Sequence, residues 1–299
     1  MNRNLALEFV RVTEMSAIAS ARFMGRGDAD AADEAAIEAM RATLDSVECD
    51  ASVVIGEGTK SDALYIGEKV GTGSGASLEV ALDPLEGKTV CASGANNAIS
   101  VMAVAEEGNL FKAPDKYMKK IACGPEGKGL IDINESPAEN LKRLAEAKKC
   151  RIQDLTAVVL DRSRHTKLIE DIRKTGARIQ LIGDGDISAA IACCMSGGGV
   201  DILFGQGGAQ EGVITAAALR CIGGDFQGII EGIDKVFSIE DLASGNVMFC
   251  ATGVTNGNLL KGVRFMSWGA ITHSVVMRSQ SGTIRHIEAE HHFDKKPRY

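Results

Sequence analysis

Apolar residues recur at helical spacing from the start of the chain. Leu5, Phe9, Val12, Ile18 and Met24 fall on one stripe across residues 4–24, and the glycines of "GRGD" close it, so a first helix is predicted there. A second, alanine-rich helix is predicted to follow Asp28 to Asp30 and run to about Val47, with Ile37, Met40 and Leu44 inward. The period then changes. "ASVVIGEG", "LEVALDP", "NAISVMAVAEEGNLF" and "KKIACGP" are β-branched or alternating runs broken by Gly and Pro, which predicts strands of a mostly antiparallel sheet.

After the Ser-led helix "SPAENLKRLAEAKK", strand and helix patterns alternate. "LTAVVLD" precedes "HTKLIEDIRKTG", "ARIQLIG" precedes "DISAAIACCM", and "VDILFG" precedes "EGVITAAALRCIG". Repetition of that kind with short turns predicts a parallel α/β layer. The expected organisation is two stacked α/β units sharing a cleft, residues 1–150 and 151–299, with the allegiance of the last strands (246–252 and 274–289) left open.

Composition narrows the function. The chain has 299 residues, 45% hydrophobic and 24% charged, enough for a substantial core. A net charge of −7 with no Lys/Arg block argues against nucleic acid as a partner. Arg3, Glu8, Arg11 and Glu14 interrupt any leader-like apolar run, and no stretch is long enough to span a membrane. Eight cysteines without a C-x-x-C pair point to free thiols in a reducing cytoplasm, not to a disulfide or zinc framework.

Acids recur beside glycines at predicted element ends: Asp33 after "GRGD", Glu57 in "GEG", Asp83 and Glu86 in "DPLEG", Asp184 and Asp186 in "DGD", and Glu211 in "GGAQEG". Hard divalent cations take oxygen ligands, and strand ends are where α/β proteins hold ligands. Singly, each motif has a plainer explanation as a turn or, for Asp186 before "ISAAIA", a helix cap. Together they suggest a metal and phosphate site. "GTGSG" at 71–75 lacks the helix of a dinucleotide loop, and "GKT" at 87–89 lacks the glycine that a P-loop needs where Leu82 stands.

In "GRGD", "VVIGEG", "LYIGE", "DPLEG", "APDKYMKK", "DGDISAAI" and "GGAQEGV" the chain resembles the class II fructose-1,6-bisphosphatases. Through "RHTKLIEDIRKTGARIQLI" and "ALRCIGGDFQG" it looks most like the cyanobacterial dual fructose-1,6-/sedoheptulose-1,7-bisphosphatases. The resemblance implies an α/β fold of stacked α/β/α/β/α layers, the lithium-sensitive sugar phosphatase type. It also implies Mn²⁺- or Mg²⁺-dependent hydrolysis of the 1-phosphate of a sugar bisphosphate, in gluconeogenesis or Calvin-type carbon metabolism, by a cytoplasmic homodimer or homotetramer.

Carried onto this sequence, the resemblance makes Asp33, Glu57, Asp83, Glu86 and Glu211 the metal ligands. Glu57, Asp83, Glu86, Lys88 and Thr89 are then catalytic. Substrate contacts would come from Glu86, Gly87 and Lys88, from Tyr117, from Arg162, Ser163 and Arg164, from Asp184, Gly185 and Asp186, and from Gly208. Arg162 and Arg164 supply planar forks suited to a distal phosphate.

The departures from that family pattern cluster near the metals. Lys88 stands where the family has Thr, with Thr89 one residue late. Ala29 and Asp30 replace Lys-Asn, and "TKSDA" is two residues short with Asp62 its only acid. Gln210 replaces Pro, and a charged excursion is missing at 229–238. Lys88 has three readings: it replaces a metal, binds phosphate, or weakens the site, and weakening is the expected one. The alternatives to a phosphatase of this type are an impaired paralogue that binds sugar phosphates in a regulatory or assembly role, and a related phosphomonoesterase acting on an inositol or nucleotide phosphate.

Overall fold

A computed structural model of the chain describes residues 4–58 and 63–294; Asp62 lies outside them. The chain opens with α1 (Leu5–Ala21) and α2 (Ala29–Leu44), then β1 (Cys49–Ile55), β2 (Lys69–Val70) and β3 (Ala76–Glu86). Next come α3 (Lys88–Ser93), β4 (Ile99–Glu106), β5 (Tyr117–Cys123), α4 (Pro137–Lys148), β6 (Thr156–Leu160), α5 (Thr166–Lys174) and β7 (Arg178–Ile182). They are followed by α6 (Asp186–Ala192), β8 (Ile202–Gly208), α7 (Ala209–Ile222), β9 (Asp225–Ile230), β10 (Phe237–Ser238) and α8 (Ile239–Leu242). The last strands are β11 (Val247–Gly253), β12 (Arg264–Met266), β13 (Gly269–Arg278) and β14 (Thr283–His292).

The strands form two mixed sheets, as an α/β fold requires. The first has eight strands in the order β12-β13-β11-β4-β3-β1-β2, with β14 alongside β13; the second has six, in the order β10-β9-β5-β8-β6-β7. The last strands, whose allegiance the sequence left open, all join the first sheet. That sheet is antiparallel except for β1 beside β3. In the second sheet β6 runs parallel to both β7 and β8, as the repeated strand-helix rhythm predicted. However, β5 and β9 pair antiparallel, so the layer is mixed and not parallel throughout. Both sheets cross residue 150, since β5 sits in the second and β11 to β14 in the first.

Three apolar seams glue five layers. Leu5, Phe9 and Val12 of α1 and Met40 and Leu44 of α2 pack on Val80, Leu82, Met102 and Val104 of the first sheet. The opposite face of that sheet, through Ala81, Val101 and Ala103, meets α6 and α7 and the Met118 and Leu203 side of the second sheet. Leu141, Leu144, Ile169 and Ile172 of α4 and α5 cover the far face through Ile121, Val159 and Phe204. Each large apolar side chain fully buried in these seams contributes about 1.5–3 kcal/mol. Met24 is not in the stripe: α1 ends at Ala21, and Met24 is exposed.

The helix caps follow sequence in two places. Asp28 Oδ1 accepts from Ala31 N at 3.0 Å to start α2, and Ser136 Oγ accepts from Glu139 N at 3.2 Å to start α4. Among the described residues no helix is long and apolar enough to cross a membrane.

Candidate active site

The middle layer and the ends of the sheets enclose a cleft of about 170 Å³, lined by Asp83, Glu86, Gly87, Tyr117, Arg162, Arg164, Asp184, Gly185, Asp186, Gly208 and Glu211, with Leu160 and Gly207. Eleven of the residues singled out from sequence therefore meet around one space, although they come from five separate stretches. Asp33, Glu57 and Lys88 do not line it, although Glu57 and Asp33 are near enough to Asp83 to raise its pKa. Thr89 and Ser163 are exposed and do not line the cleft.

Asp83 and Glu86 are held by an irregularity in β3. The β3–β4 register shifts between them, where Pro84 has no N–H to give to a ladder. Leu85 N donates to Asp83 Oδ1 at 3.0 Å, and Ser16 Oγ of α1 donates to the carbonyl of Pro84 at 2.9 Å. The strand then ends at Gly87, whose φ of 89° is left-handed and needs glycine. At Gly208 a side chain would collide with the carboxylate of Glu211, so "GGAQEG" lets that acid fold back over the start of α7.

Glu86 caps a helix of the other layer. Its Oε1 accepts from Ile187 N at 2.7 Å and its Oε2 from Ser188 N at 3.4 Å, both in the first turn of α6. The cap that sequence gave to Asp186 thus belongs to Glu86, 100 residues away in the chain; α6 starts from Gly185 with no side-chain cap of its own. Asp186 instead accepts from Lys120 Nζ at 2.7 Å, a pair whose side chains are only 1% and 8% exposed.

Lys120 was missed in the sequence. Its signal lies in the alternation of β5, where Met118, Lys120 and Ala122 share the core-facing side and a lysine is the odd member. His165 was missed too. It is buried, its Nδ1 lies 2.8 Å from the carbonyl oxygen of Leu160, and its Nε2 accepts from Gln206 N at 2.9 Å, which pins the "DRSRH" turn onto β8. Burial pushes the pKa of His165 down, and this hydrogen-bond pair suits the neutral ring.

Electrostatics divide the cleft into an acidic and a basic end. Burial, with Glu57, Glu86, Glu211 and Asp33 around it, holds the Asp83 carboxyl well above its ordinary range. Glu86 is raised well above its range by burial and then by Asp186, against the pull of Ile187 N–H. Burial raises Glu211, with Lys120 opposing, and lifts Glu57 to about 7, with Asp33 adding and Lys88 opposing. At the basic end, Arg162 lies 3.7 Å from Asp184, and the Arg164 guanidinium sits 5.1 Å over the ring of Tyr117. Arg164 Nε and Nη2 also donate to the carbonyl of Gln206, at 3.2 and 2.7 Å.

The donor set suits Mn²⁺ or Mg²⁺. Every candidate ligand is a carboxylate, and four of them are raised by burial and by one another, a repulsion that a divalent cation relieves. As the side chains stand, no three acids among the described residues converge closely enough to hold an ion between them. Asp33 is drawn toward Lys88 and Glu86 toward α6. Lys88 Nζ lies 3.0 Å from Asp33 Oδ2 and 3.6 Å from Asp30 Oδ1, and the bond to Asp33 raises the pKa of the lysine further, so it is charged at neutral pH.

Comparison with known proteins agrees with the geometry. A profile described as bacterial fructose-1,6-bisphosphatase, glpX-encoded, matches residues 3–291. The D-fructose 1,6-bisphosphatase class 2/sedoheptulose 1,7-bisphosphatase of Synechococcus elongatus is 44% identical over 337 residues, covering 98% of this chain and 98% of the relative. The protein of the same description from Microcystis aeruginosa is 42% identical over 342 residues, covering 100% of this chain and 99% of the relative. Both alignments are longer than the 299 residues of this chain, so the relatives carry insertions that it lacks.

Proposed function

Because the chain belongs to the bacterial fructose-1,6-bisphosphatase family and is a metal-dependent phosphatase of sugar bisphosphates, we propose that it removes the 1-phosphate of fructose-1,6-bisphosphate, of sedoheptulose-1,7-bisphosphate or of both in this cleft. The observation that carries the reading is the polarity of the cleft, with Asp83, Glu86 and Glu211 at one end and Arg162 and Arg164 at the other. A substrate with two phosphates separated by a sugar matches that arrangement.

Asp83, Glu86 and Glu211, together with Asp33 and Glu57, would hold Mn²⁺ or Mg²⁺. Such an ion, when bound, polarises the scissile phosphate and lowers the pKa of an attacking water. The rest falls to the chain itself. Arg164, steadied on Tyr117, and Arg162 grip the phosphate that stays. Asp184, Gly185 and Asp186 accept hydrogen bonds from sugar hydroxyls, with Lys120 fixing which way Asp186 faces. Glu57, whose carboxyl is lifted to about 7 in the metal-free chain, would be held in its charged form by the cation it helps to bind.

Among the three readings of Lys88, its contacts with Asp33 and Asp30 favour the first: the ammonium takes a cation's place at that corner of the cluster. The reduced rate expected from the lost Thr hydroxyl is compatible with that role. No finding supports a binding-only paralogue. Eight free thiols agree with a cytoplasmic enzyme. Phosphate release from both sugar bisphosphates, measured across a panel of divalent metals, tests the proposal. Metal-dependent release from at least one of them is expected; no release with any metal would refute it.

A further inference from the structure

Outside the cleft, the backbone at Glu57 is held by a carboxylate that the proposed ligand set does not include. Glu57 N donates to the carbonyl of Leu64 at 2.9 Å, which closes the loop between them. Leu64 acts as a pin. Its side chain is fully buried in the seam under α1 and α2, and its φ of 61° is left-handed, which leucine adopts only when its surroundings hold it there. Glu68 supplies the hold, because its Oε2 accepts from Leu64 N. Both backbone groups of Leu64 are thus engaged, one by Glu68 and the other by Glu57. The approach is close enough that a side chain at Gly56 would collide with the carbonyl oxygen of Leu64.

Glu68 is fixed in turn. Its N–H donates to the carbonyl of Tyr65 at 3.0 Å, its own carbonyl accepts from Val53 N of β1 at 2.9 Å, and its Oε1 accepts from Arg41 Nε at 2.5 Å. The side chains of Arg41 and Glu68 are 27% and 13% exposed. A carboxylate so far withdrawn from water needs donors, and it finds them in the guanidinium and the Leu64 peptide. Arg41 lies on α2, about two turns along the helix from Asp33.

We infer, resting on the reading of Glu57 as a metal ligand, that Glu68 is a positioning residue for the metal centre. Through Leu64 it sets where the Glu57 backbone stands, and through Arg41 and α2 it ties that acid to Asp33. Both acids are near enough to Asp83 to act on its carboxyl, so their placement decides how the cluster opens toward a cation. Partners of this kind direct a ligand before the ion arrives, and their loss weakens binding without removing any ligand.

Two variants of the full chain separate positioning from simple bracing of the fold. Glu68→Asp keeps the charge opposite Arg41 but draws the carboxylate back from Leu64 N by one methylene. Glu68→Gln loses the charge but keeps an acceptor at full reach. Calorimetric titration of the metal-free protein with Mn²⁺ is the readout. Glu68→Asp should weaken Mn²⁺ binding about tenfold to a hundredfold, and Glu68→Gln should bind close to the parent. The reverse order would mean that only the ion pair with Arg41 matters, and it would overturn the inference, as would parent-like binding by Glu68→Asp. A cycle with Glu57→Ala locates the effect. Glu57→Ala alone should weaken binding, and adding Glu68→Asp should weaken it no further; a full additional loss in the double variant would show that Glu68 does not act through Glu57. Failure of the underlying reading looks different: a parent that binds no Mn²⁺, or a Glu57→Ala variant that binds it as the parent does, would remove Glu57 from the metal centre and the role of Glu68 with it.

Discussion

Lys120 pairs with a carboxylate in the cleft and Lys88 with two outside its lining, and their surroundings give them different work. Lys120 is 1% exposed and its ammonium is 2.7 Å from Asp186; Lys88 is 46% exposed and shared between Asp33 and the almost fully exposed Asp30. A buried ion pair cannot be broken without leaving a charge in a poor solvent. An exposed pair is screened and contributes little to stability. Lys120 is therefore a fixed part of the scaffold, while Lys88 can be changed, or displaced by a cation, without cost to the fold. That contrast explains how a lysine at position 88 is tolerated beside the acids proposed to hold the metal.

Breaking the buried pair should have the largest effect. Lys120→Met should destabilise the protein by about 3–5 kcal/mol, and adding Asp186→Leu should recover most of the loss, as measured by urea unfolding. An equal loss in Lys88→Met would erase the distinction between the two lysines.

The basic end is expected to act on binding. Arg164→Ala removes a charged fork worth about 1.5–3 kcal/mol, so KM should rise about tenfold to a hundredfold with a much smaller change in kcat. Steady-state kinetics with each sugar bisphosphate decide it, and an unchanged KM would remove Arg164 from the site.

A pH titration distinguishes the acidic end. Glu57 titrates at about 7 in the folded chain against 4.5 unfolded, so the folded state holds its proton more tightly. Metal-free stability should then be highest below the unfolded value and fall as pH rises toward 7. Asp83, Glu86 and Glu211 are shifted in the same direction. Saturating Mn²⁺ should flatten that decline, because the cation replaces the protons; a melting temperature with the same pH slope with and without Mn²⁺ would separate these acids from the metal.

The smallest change in stability belongs to Lys88→Thr, below about 1 kcal/mol. Its signature should be in metal content instead. With Asp33 released, more Mn²⁺ should bind per chain than in the parent. Calorimetric titration that finds the same number of ions in both would return Lys88 to the phosphate-binding or weakening readings.

Much of this site was legible because glycine and acid recur together at strand ends, and each such motif marks a place where backbone and ligand come close. The β-branched and alternating runs also marked β3 and β4 as strands of a mostly antiparallel sheet. What sequence could not supply was the partner of each strand. Alternation is the same whether a neighbour runs parallel or antiparallel, so β1 beside β3 and β5 beside β8 were not readable. The cap of α6 was hidden for a similar reason. "DGD" before an apolar helix looks locally complete, whereas Glu86 arrives from 100 residues earlier. Lys120 was overlooked among neighbouring lysines, and only its place on the inward side of β5 sets it apart.

The central claim is that the acidic end of the cleft binds a divalent metal, and Glu211 is its most accessible test, since it lies in the first turn of α7 and its carboxyl is held above its ordinary range by burial. The melting temperatures of the parent and Glu211→Ala should be compared with and without Mn²⁺. Ligand at about a hundred times its Kd stabilises a fold by about 2.7 kcal/mol, so the parent should show a clear upward shift. The account predicts that Glu211→Ala melts cooperatively without metal yet gains nothing from Mn²⁺. A variant that Mn²⁺ stabilises as much as the parent would contradict it.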